Sequence, residues 1–289
     1  MLKFILVVAF IATLNSSECK LPMNLAPNLQ PMTLARLQNN PDIMRNRKNL
    51  KDLCIYSIYF KEHHKPWNML LLFNKKKPRG AFWFLPHDNE NSAFDSAIYA
   101  TKKYGGGFLA VVTGGKRNNG SIDPNRNFAT KKLVGRCRPS PVYTGVVFSV
   151  IDYFEPKSMP YLSLHNNSNG HFGNGGRGNI SILKNSATVH SYLAYKKISR
   201  GLRAGLKDED SLIYIAGTTP KPPKGKLKSL LNSGLNVKYE VVTPERNDCS
   251  MSNFVVLGKG TTNYYNIEVE HGDTKTQKIM IDRLMKIIK

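Results

Sequence analysis

The sequence predicts a single α/β domain in which one mixed β-sheet is sandwiched between helices. Two observations lead to this prediction. Short β-rich runs alternate with helical segments along most of the 289 residues, and the first runs follow one another across a short turn, which favours antiparallel pairing. A hydrophobic content of 41% is enough for a large buried core. No internal repeat marks a second domain.

The first three strands are predicted from dense runs of aliphatic and aromatic residues. "LCIYSIYF" (53–60) and "NMLLLFN" (68–74) flank the turn "KEHHKPW", and "GAFWFLP" (80–86) forms a third run. β-Branched and aromatic residues bounded by turn residues are typical of strands. The third run lacks polar alternation, so we expect a buried strand.

The segment that follows the third run has the spacing of an amphipathic helix. Phe94, Ala97, Ile98 and Thr101 are separated by three or four residues and therefore share one face. We expect the N-cap at Asn91 or Ser92, and Gly105 to end the helix.

The remaining segments continue the alternation of strands and helices. Ile279, Leu284 and Ile287 are the expected core residues of the last helix. Further strands are predicted at 108–114, 160–165, 211–217, 264–270 and the end of 224–242; helices at 141–154, 189–206, the start of 224–242 and 273–289; and a long Asn/Gly-rich loop at 166–179.

The N-terminal residues have the pattern of an export signal. Lys3 precedes a short apolar run from Phe4 to Leu14, which is too short to span a bilayer comfortably but matches a secretory signal. We predict a signal peptide at 1–19, cleaved within 15–20, an N-terminal arm at 20–48 and the folded domain at 49–289. The protein is therefore expected to be exported, periplasmic or secreted, without stable insertion in a membrane.

The cysteines and the net charge limit the possible surroundings. If cleavage follows Cys19, three cysteines are left, which allows one disulfide and one free thiol among Cys54, Cys137 and Cys249. The net charge is +22, which favours anionic partners such as a cell-wall polymer, acidic substrates or nucleic acid. The basic runs 74–80 and 221–228 lack interleaved aromatic residues, so nucleic acid is the less expected partner.

Polar, chemically capable residues lie at the ends of the predicted strands. His87 and Glu90 follow the run 80–86, and His165 ends the run 160–165. Ligands of α/β sheets bind outside the carboxyl ends of strands, so these side chains can converge. Two His and one Glu, with a fourth position open, form a catalytic zinc set. A second cluster, "SIDPNRNF", offers Asn125 and Arg126, which can hold a carboxylate, although Asp-Pro-Asn is also ordinary turn chemistry.

Together, these motifs resemble the zinc-carboxypeptidase superfamily. The order is His-x-x-Glu, then "SIDPNRNF", then a strand that ends in His. "LSLHNNSNG" and "YNIEVEHG" are most similar to the branch of aspartoacylases and succinylglutamate desuccinylases. The resemblance covers residues 80–272 and implies a zinc-carboxypeptidase-like hydrolase fold.

The resemblance implies a role for each matched residue. His87, Glu90 and His165 would bind one Zn²⁺ ion, Arg117 would stabilise the oxyanion, Asn125 and Arg126 would anchor a substrate carboxylate, and Glu268 would be the general base and acid. Glu270 competes for that last role because alternate residues of a strand share a face. Ser163 stands where the branch often has Asp, and Tyr264 and Tyr265 are candidates for the tyrosine that closes over the substrate.

The expected function is hydrolysis of an amide or peptide bond next to a carboxylate. A carboxypeptidase or amidase acting on peptides, including those of peptidoglycan, is the main hypothesis. The alternatives are an N-acyl amino acid deacylase of small molecules and a non-catalytic cationic protein that binds cell-wall polymer or another polyanion.

Overall fold

Ten strands of the chain pair into one mixed sheet. The computed structural model describes residues 19–130 and 137–288, and the order of the strands across the sheet is β1-β2-β3-β5-β4-β6-β10-β8-β9-β7. The strands are β1 (Gln30–Pro31), β2 (Leu53–Glu62), β3 (Lys65–Asn74), β4 (Phe82–Leu85), β5 (Gly107–Val112), β6 (Tyr161–Asn167), β7 (Val189–Tyr192), β8 (Leu212–Gly217), β9 (Val237–Val241) and β10 (Tyr264–Glu270).

The centre of the sheet is parallel, and the edge that contains β2 and β3 is antiparallel. Strands β5, β4, β6 and β10 run parallel, whereas β2 and β3 form an antiparallel pair that joins the sheet through β5. Beyond β10, β8 is antiparallel to β10, and β9 is parallel to β8. The predicted mixed sheet is confirmed.

Helices cover both faces of the sheet, which makes the predicted sandwich. The helices are α1 (Pro41–Asn46), α2 (Asn91–Tyr104), α3 (Pro141–Phe154), α4 (Lys224–Asn232), α5 (Met251–Leu257) and α6 (Thr274–Met285). Side chains of β4 alternate between the faces: Trp83 packs with α2 and α6 in one hydrophobic cluster, and Phe84 packs with α3 and α5 in the other. Because both faces of the central strands are buried, these strands have uninterrupted hydrophobic sequences.

The helix α2 follows its predicted pattern closely. Phe94, Ala97, Ile98 and Thr101 are all buried, and the helix ends at Gly105, whose positive φ of 81° suits glycine. Its N-cap position is Glu90 instead of Asn91 or Ser92. The carboxylate of Glu90 does not cap the helix, because it is used elsewhere, as described below.

The predicted helix at 189–206 is wrong. Val189–Tyr192 form the edge strand β7, paired antiparallel with β9. Farther along, Arg203 has a φ of 55° and Gly205 a φ of 72°, and neither conformation continues a right-handed helix. Val189 and Tyr192 are residue types that favour strands, and pairing with β9 outweighs the helical spacing of the segment.

The last helix and the cysteines also differ from the sequence prediction. Ile279 is 36% exposed, whereas Met280, Ile281 and Leu284 form the buried side of α6. The structure pairs Cys19 with Cys54 and Cys137 with Cys249, so a chain that keeps Cys19 has no free thiol among the described residues, and the one free thiol stays a prediction for cleavage after Cys19. Residues 1–18 lie outside the described residues, and the signal peptide and its boundaries stay predictions.

Candidate metal centre and active site

The three predicted metal ligands lie together at the carboxyl ends of β4 and β6. His87 and Glu90 follow β4, and His165 lies in the last part of β6. One possible ligand atom from each residue lies within 4.8 Å of the other two, and all three side chains are buried. Parallel pairing of the two strands brings these ends to the same edge of the sheet. The three residues that the sequence predicts as ligands therefore lie side by side.

The Glu90 carboxylate lies at the centre of this group. Its Oε1 is 2.7 Å from Nδ1 of His87, and its Oε2 is 3.5 Å from Nδ1 of His165. Oε2 also accepts a hydrogen bond from the backbone N–H of Asn166 at 2.9 Å. Burial opposes ionisation, but the charge and hydrogen bond of His87 and the charge of Arg117 hold the pKa of Glu90 below its ordinary value. Glu90 is therefore a carboxylate, the form that binds metal.

The chemistry of His165 also suits a metal ligand. Burial lowers the pKa of His165 to about 3, so the ring is neutral and offers a lone pair. Its Nε2 is buried without a hydrogen-bond partner in the described part of the chain. Two imidazoles and a carboxylate, with a buried ring nitrogen left unpaired, fit a divalent transition metal such as Zn²⁺.

Asp123 joins the group, although its place in Asp-Pro-Asn predicted no more than a turn. Its Oδ1 is 2.8 Å from Nε2 of His87, on the far side of the ring from Glu90. Burial opposes protonation of His87, but the two carboxylates outweigh this effect and raise its pKa. A carboxylate on the outer nitrogen of a ligand histidine fixes the orientation of the ring. An Asp just before an Asn-Arg pair was the available sequence signal.

Arg117 reaches the same group from the loop after β5. Its guanidinium donates to Oε1 of Glu90 at 2.9 Å and lies 3.7 Å from Oδ2 of Asp123. The side chain is 42% exposed, so it faces the open side of the group. Asp88 holds this loop, because its carboxylate accepts from the backbone N–H groups of Thr113 and Gly115 at 2.7 Å each. Asp88 thus positions the loop that carries Arg117.

A cavity of about 570 Å³ opens beside the three ligands. Glu90 and His165 line one end of it together with Arg117, and Glu268 lines the wall formed by β10. Glu268 is the register partner of His165 across the β6–β10 pair. The cavity is therefore bounded by acidic groups, basic groups and candidate metal ligands from four separate parts of the chain.

The structure distinguishes the positions of the two glutamates of β10. Glu268 faces the cavity and accepts a hydrogen bond from Nδ2 of Asn266 at 2.9 Å. Burial, reinforced by the charge of Glu90, raises the pKa of Glu268 to about 8. Glu270 does not line this cavity, and its carboxylate accepts from the backbone N–H of Arg203.

Asn125 and Arg126 lie on a short 3₁₀ turn (Pro124–Arg126) at the wall of the cavity. The side chain of Asp123 accepts from the backbone N–H of Asn125 at 2.8 Å and so begins this turn. Asn125 Oδ1 accepts from the backbone N–H of Met251 at 3.3 Å. Arg126 Nε is paired with Asp248 at 3.2 Å, and its Nη1 donates to the backbone carbonyl of Asn125 at 3.1 Å, so the guanidinium is held at the cavity wall.

The two tyrosine candidates differ in position. Tyr264 lines the cavity, and its hydroxyl is 2.7 Å from the hydroxyl of Ser163. Tyr265 packs in the cluster on the opposite face of the sheet, beneath the amine of Lys226. Both rings are buried, and neither is placed as a mobile cover over the cavity. Ser163, the departure from the related branch, is used to hold Tyr264.

Comparisons with known proteins give two results. No protein-family model and no curated protein matches the sequence. Among solved structures, a "putative metallopeptidase" from Shewanella amazonensis is 9% identical with a TM-score of 0.42, covering 88% of this chain and 92% of the other. An aspartoacylase family protein from Mesorhizobium loti is 10% identical with a TM-score of 0.40, covering 81% and 65%.

Because the identities are about a tenth and both TM-scores are below 0.5, the function of this chain rests on its own site. None of the described helices is long and apolar enough to cross a membrane.

Proposed function

We propose that this protein is a zinc-dependent hydrolase that cleaves an amide or peptide bond next to a substrate carboxylate. One observation carries the proposal: His87, Glu90 and His165 offer three converging ligand atoms in a cavity that Glu268 also lines. The ligand set is that of catalytic zinc sites, which leave one position open toward the substrate.

The residues would divide the chemistry as follows. One zinc ion held by His87, Glu90 and His165 would supply Lewis-acid polarisation of a carbonyl and lower the pKa of a water molecule. Glu268 would take a proton from the attacking water and pass it to the leaving amine. A carboxyl group whose pKa is raised to about 8 suits this exchange near neutral pH. Asn266, which donates to Glu268, would fix the position of the carboxylate.

Two arginines would serve different parts of the substrate. Arg117, on the exposed side of the ligand group, would stabilise the negative charge that develops on the carbonyl oxygen. Arg126, together with Asn125, would bind the substrate carboxylate, because a guanidinium matches a carboxylate with two parallel hydrogen bonds. The scissile bond would then lie between the two groups.

Export and the kind of substrate belong to the same proposal. The apolar run after Lys3 and the disulfide Cys137–Cys249 support an oxidising location outside the cytoplasm, and the disulfide Cys19–Cys54 would persist there if cleavage precedes Cys19. The net charge of +22 supports an anionic environment, such as cell-wall polymer, with peptidoglycan peptides as candidate substrates. Small N-acyl amino acids are the second substrate class to assay.

The test combines zinc analysis with hydrolysis of unblocked peptides, muropeptides and N-acyl amino acids. We expect Glu268→Gln to keep the zinc and to lower kcat by about 10²–10⁴-fold, because only the proton acceptor is removed. Glu245→Gln, on an exposed residue, is the matched control.

Two results would contradict the proposal. Hydrolysis that continues at full rate after removal of zinc by a chelator would exclude a role for the metal. Full activity of Glu268→Gln would exclude the assigned base. Release of free amino acids from peptides but not from N-acyl amino acids would favour the peptidase.

A further inference from the structure

The far end of the cavity, away from the metal ligands, is formed by one face of strands β8 and β9. Tyr214 and Lys238 are register partners, and Glu240 follows Lys238 on the same face. Asn266 of β10 is the other register partner of Tyr214. All four side chains line the cavity. Because alternate side chains of a strand point to the same face, these residues form a polar wall of the cavity from Glu268 to Glu240.

Glu240 is a carboxylate without a cationic partner. Its Oε2 accepts from Nδ2 of Asn253 at 3.1 Å, and the hydroxyl of Tyr214 donates to the same carboxylate. No basic side chain of the described residues lies within 4.0 Å of it; Arg126, whose charge acts on Glu240 over a longer distance, is paired with Asp248. Burial, reinforced by the charge of Asp248, raises the pKa of Glu240 to about 7. A nearby cation would relieve this unfavourable burial.

The neighbouring lysine does not supply that cation. The amine of Lys238 donates to the backbone carbonyls of Ser181 and Lys184 and lies 3.3 Å from the hydroxyl of Ser191. These three acceptors hold the amine of Lys238 next to β7 and the loop that precedes it. The charge of Lys238 is therefore held by neutral groups, and the lysine forms no ion pair with Glu240, which borders the same cavity.

A second, independent group at this wall also lacks a partner. Asn266 is 6% exposed and lines the cavity, and its Oδ1 has no hydrogen-bond donor among the described residues. Its Nδ2 is already used by Glu268. Asp248, 39% exposed, adds another carboxylate at the edge of the same cavity. The unfilled positions on this wall are thus acceptors, which a ligand rich in N–H donors would satisfy.

We propose that this end of the cavity is a subsite for a positively charged side chain of the substrate, with Glu240 as its counter-ion. The inference rests on the proposed function in one respect: Arg126 holds the carboxylate of the residue whose side chain enters the subsite. That residue is then an amino acid with a terminal amine, such as lysine. Tyr214 and Asn253 hold the Glu240 carboxylate in place, and Asp248 orients Arg126.

The test measures binding of free amino acids, so it does not depend on hydrolysis. L-Lysine, L-norleucine and Nε-acetyl-L-lysine share their α-groups and differ at the end of the side chain. Titration calorimetry on the zinc-loaded, oxidised protein is expected to give about ten-fold or tighter binding of lysine than of the other two, as a charge-assisted hydrogen bond would. In Glu240→Gln the difference is expected to disappear, and in the control Glu245→Gln to persist.

Each outcome bears on the proposal. Equal binding of the three amino acids to the wild-type protein, or no detectable binding of lysine, overturns the subsite without any variant. A preference for lysine that persists in a folded Glu240→Gln protein also overturns it.

Peptides that end in lysine or norleucine separate the two proposals. If both peptides are cleaved at the same rate and no lysine preference in binding exists, the hydrolase stands and the subsite fails. If lysine binds preferentially but neither these peptides nor N-acyl amino acids are cleaved with zinc present, the subsite stands and the hydrolase fails.

Discussion

Asp123 uses one carboxylate oxygen for two hydrogen bonds that meet at the candidate metal centre. Oδ1 lies 2.8 Å from Nε2 of His87 and also accepts from the backbone N–H of Asn125. Burial opposes ionisation, yet the bond to His87 holds the pKa of Asp123 well below its ordinary value. A full negative charge therefore lies behind the ligand ring.

We expect Asp123→Asn to weaken zinc binding by about 10–100-fold, because the variant keeps an acceptor oxygen but loses the charge behind His87. Competition with a chelating dye measures the affinity. Asp52→Asn, on an exposed residue, is the control for loss of one negative charge. Unchanged affinity in Asp123→Asn would mean that the orientation of His87 does not depend on this carboxylate.

At the scale of elements, the helix α3 is capped by a residue from a distant strand. Glu62, the last residue of β2, accepts from the backbone N–H of Val142 at 2.8 Å and of Tyr143 at 2.9 Å. These N–H groups lie in the first turn of the helix and have no partner within it. The negative charge also complements the positive end of the helix dipole.

We expect Glu62→Ala to lower the free energy of unfolding by about 1–2 kcal/mol, because two N–H groups and a favourable charge interaction lose their partner. Urea unfolding followed by circular dichroism measures this loss. Lys61→Ala, exposed on the same strand, should be nearly neutral. Equal effects of the two substitutions would contradict the capping role.

The sequence predicts elements well where local and tertiary preferences agree. The run 80–86 and the helix at 91–104 have one dominant pattern each, and both form as predicted. The segment 189–206 fails because its pairing partner, β9, lies about fifty residues away in sequence. Short elements such as α5 and β1 carry too few residues for periodicity to appear.

The same distinction holds within the candidate site. The residues His87, Glu90 and His165 follow strand ends, and strand ends converge by topology, so their proximity was predictable. Glu240 was not predictable, because its place in the cavity depends on the register of β8 and β9. Asp88 was missed because its partners are backbone N–H groups, which leave no trace in the sequence.

At the scale of the whole molecule, the charge is strongly unbalanced. Lys and Arg number 42 against 20 Asp and Glu, a net charge of +22. Like charges on one compact molecule repel one another and oppose folding. Salt screens this repulsion, since the Debye length falls from roughly 30 Å at 0.01 M to about 10 Å at 0.1 M salt.

We expect Tm to rise by a few degrees as NaCl is raised from about 0.01 M to about 0.3 M, because screening removes more repulsion than attraction in this molecule. Differential scanning calorimetry measures Tm, and choline chloride at equal concentration controls for specific effects of sodium. A Tm that falls with both salts would mean that ion pairs such as Lys103–Asp282 outweigh the net charge.

The disulfide between Cys137 and Cys249 has a consequence for how the protein is prepared. Cys249 follows Asp248 directly, and its carbonyl accepts from the backbone N–H of Phe128, close to Arg126. The three candidate metal ligands lie on segments of the chain that contain no cysteine of either disulfide. Material made in a reducing cytoplasm would therefore lose a covalent restraint at the far wall while keeping the ligand triad. A correct zinc content would not reveal such a fault, so thiol titration belongs beside metal analysis in checking each batch.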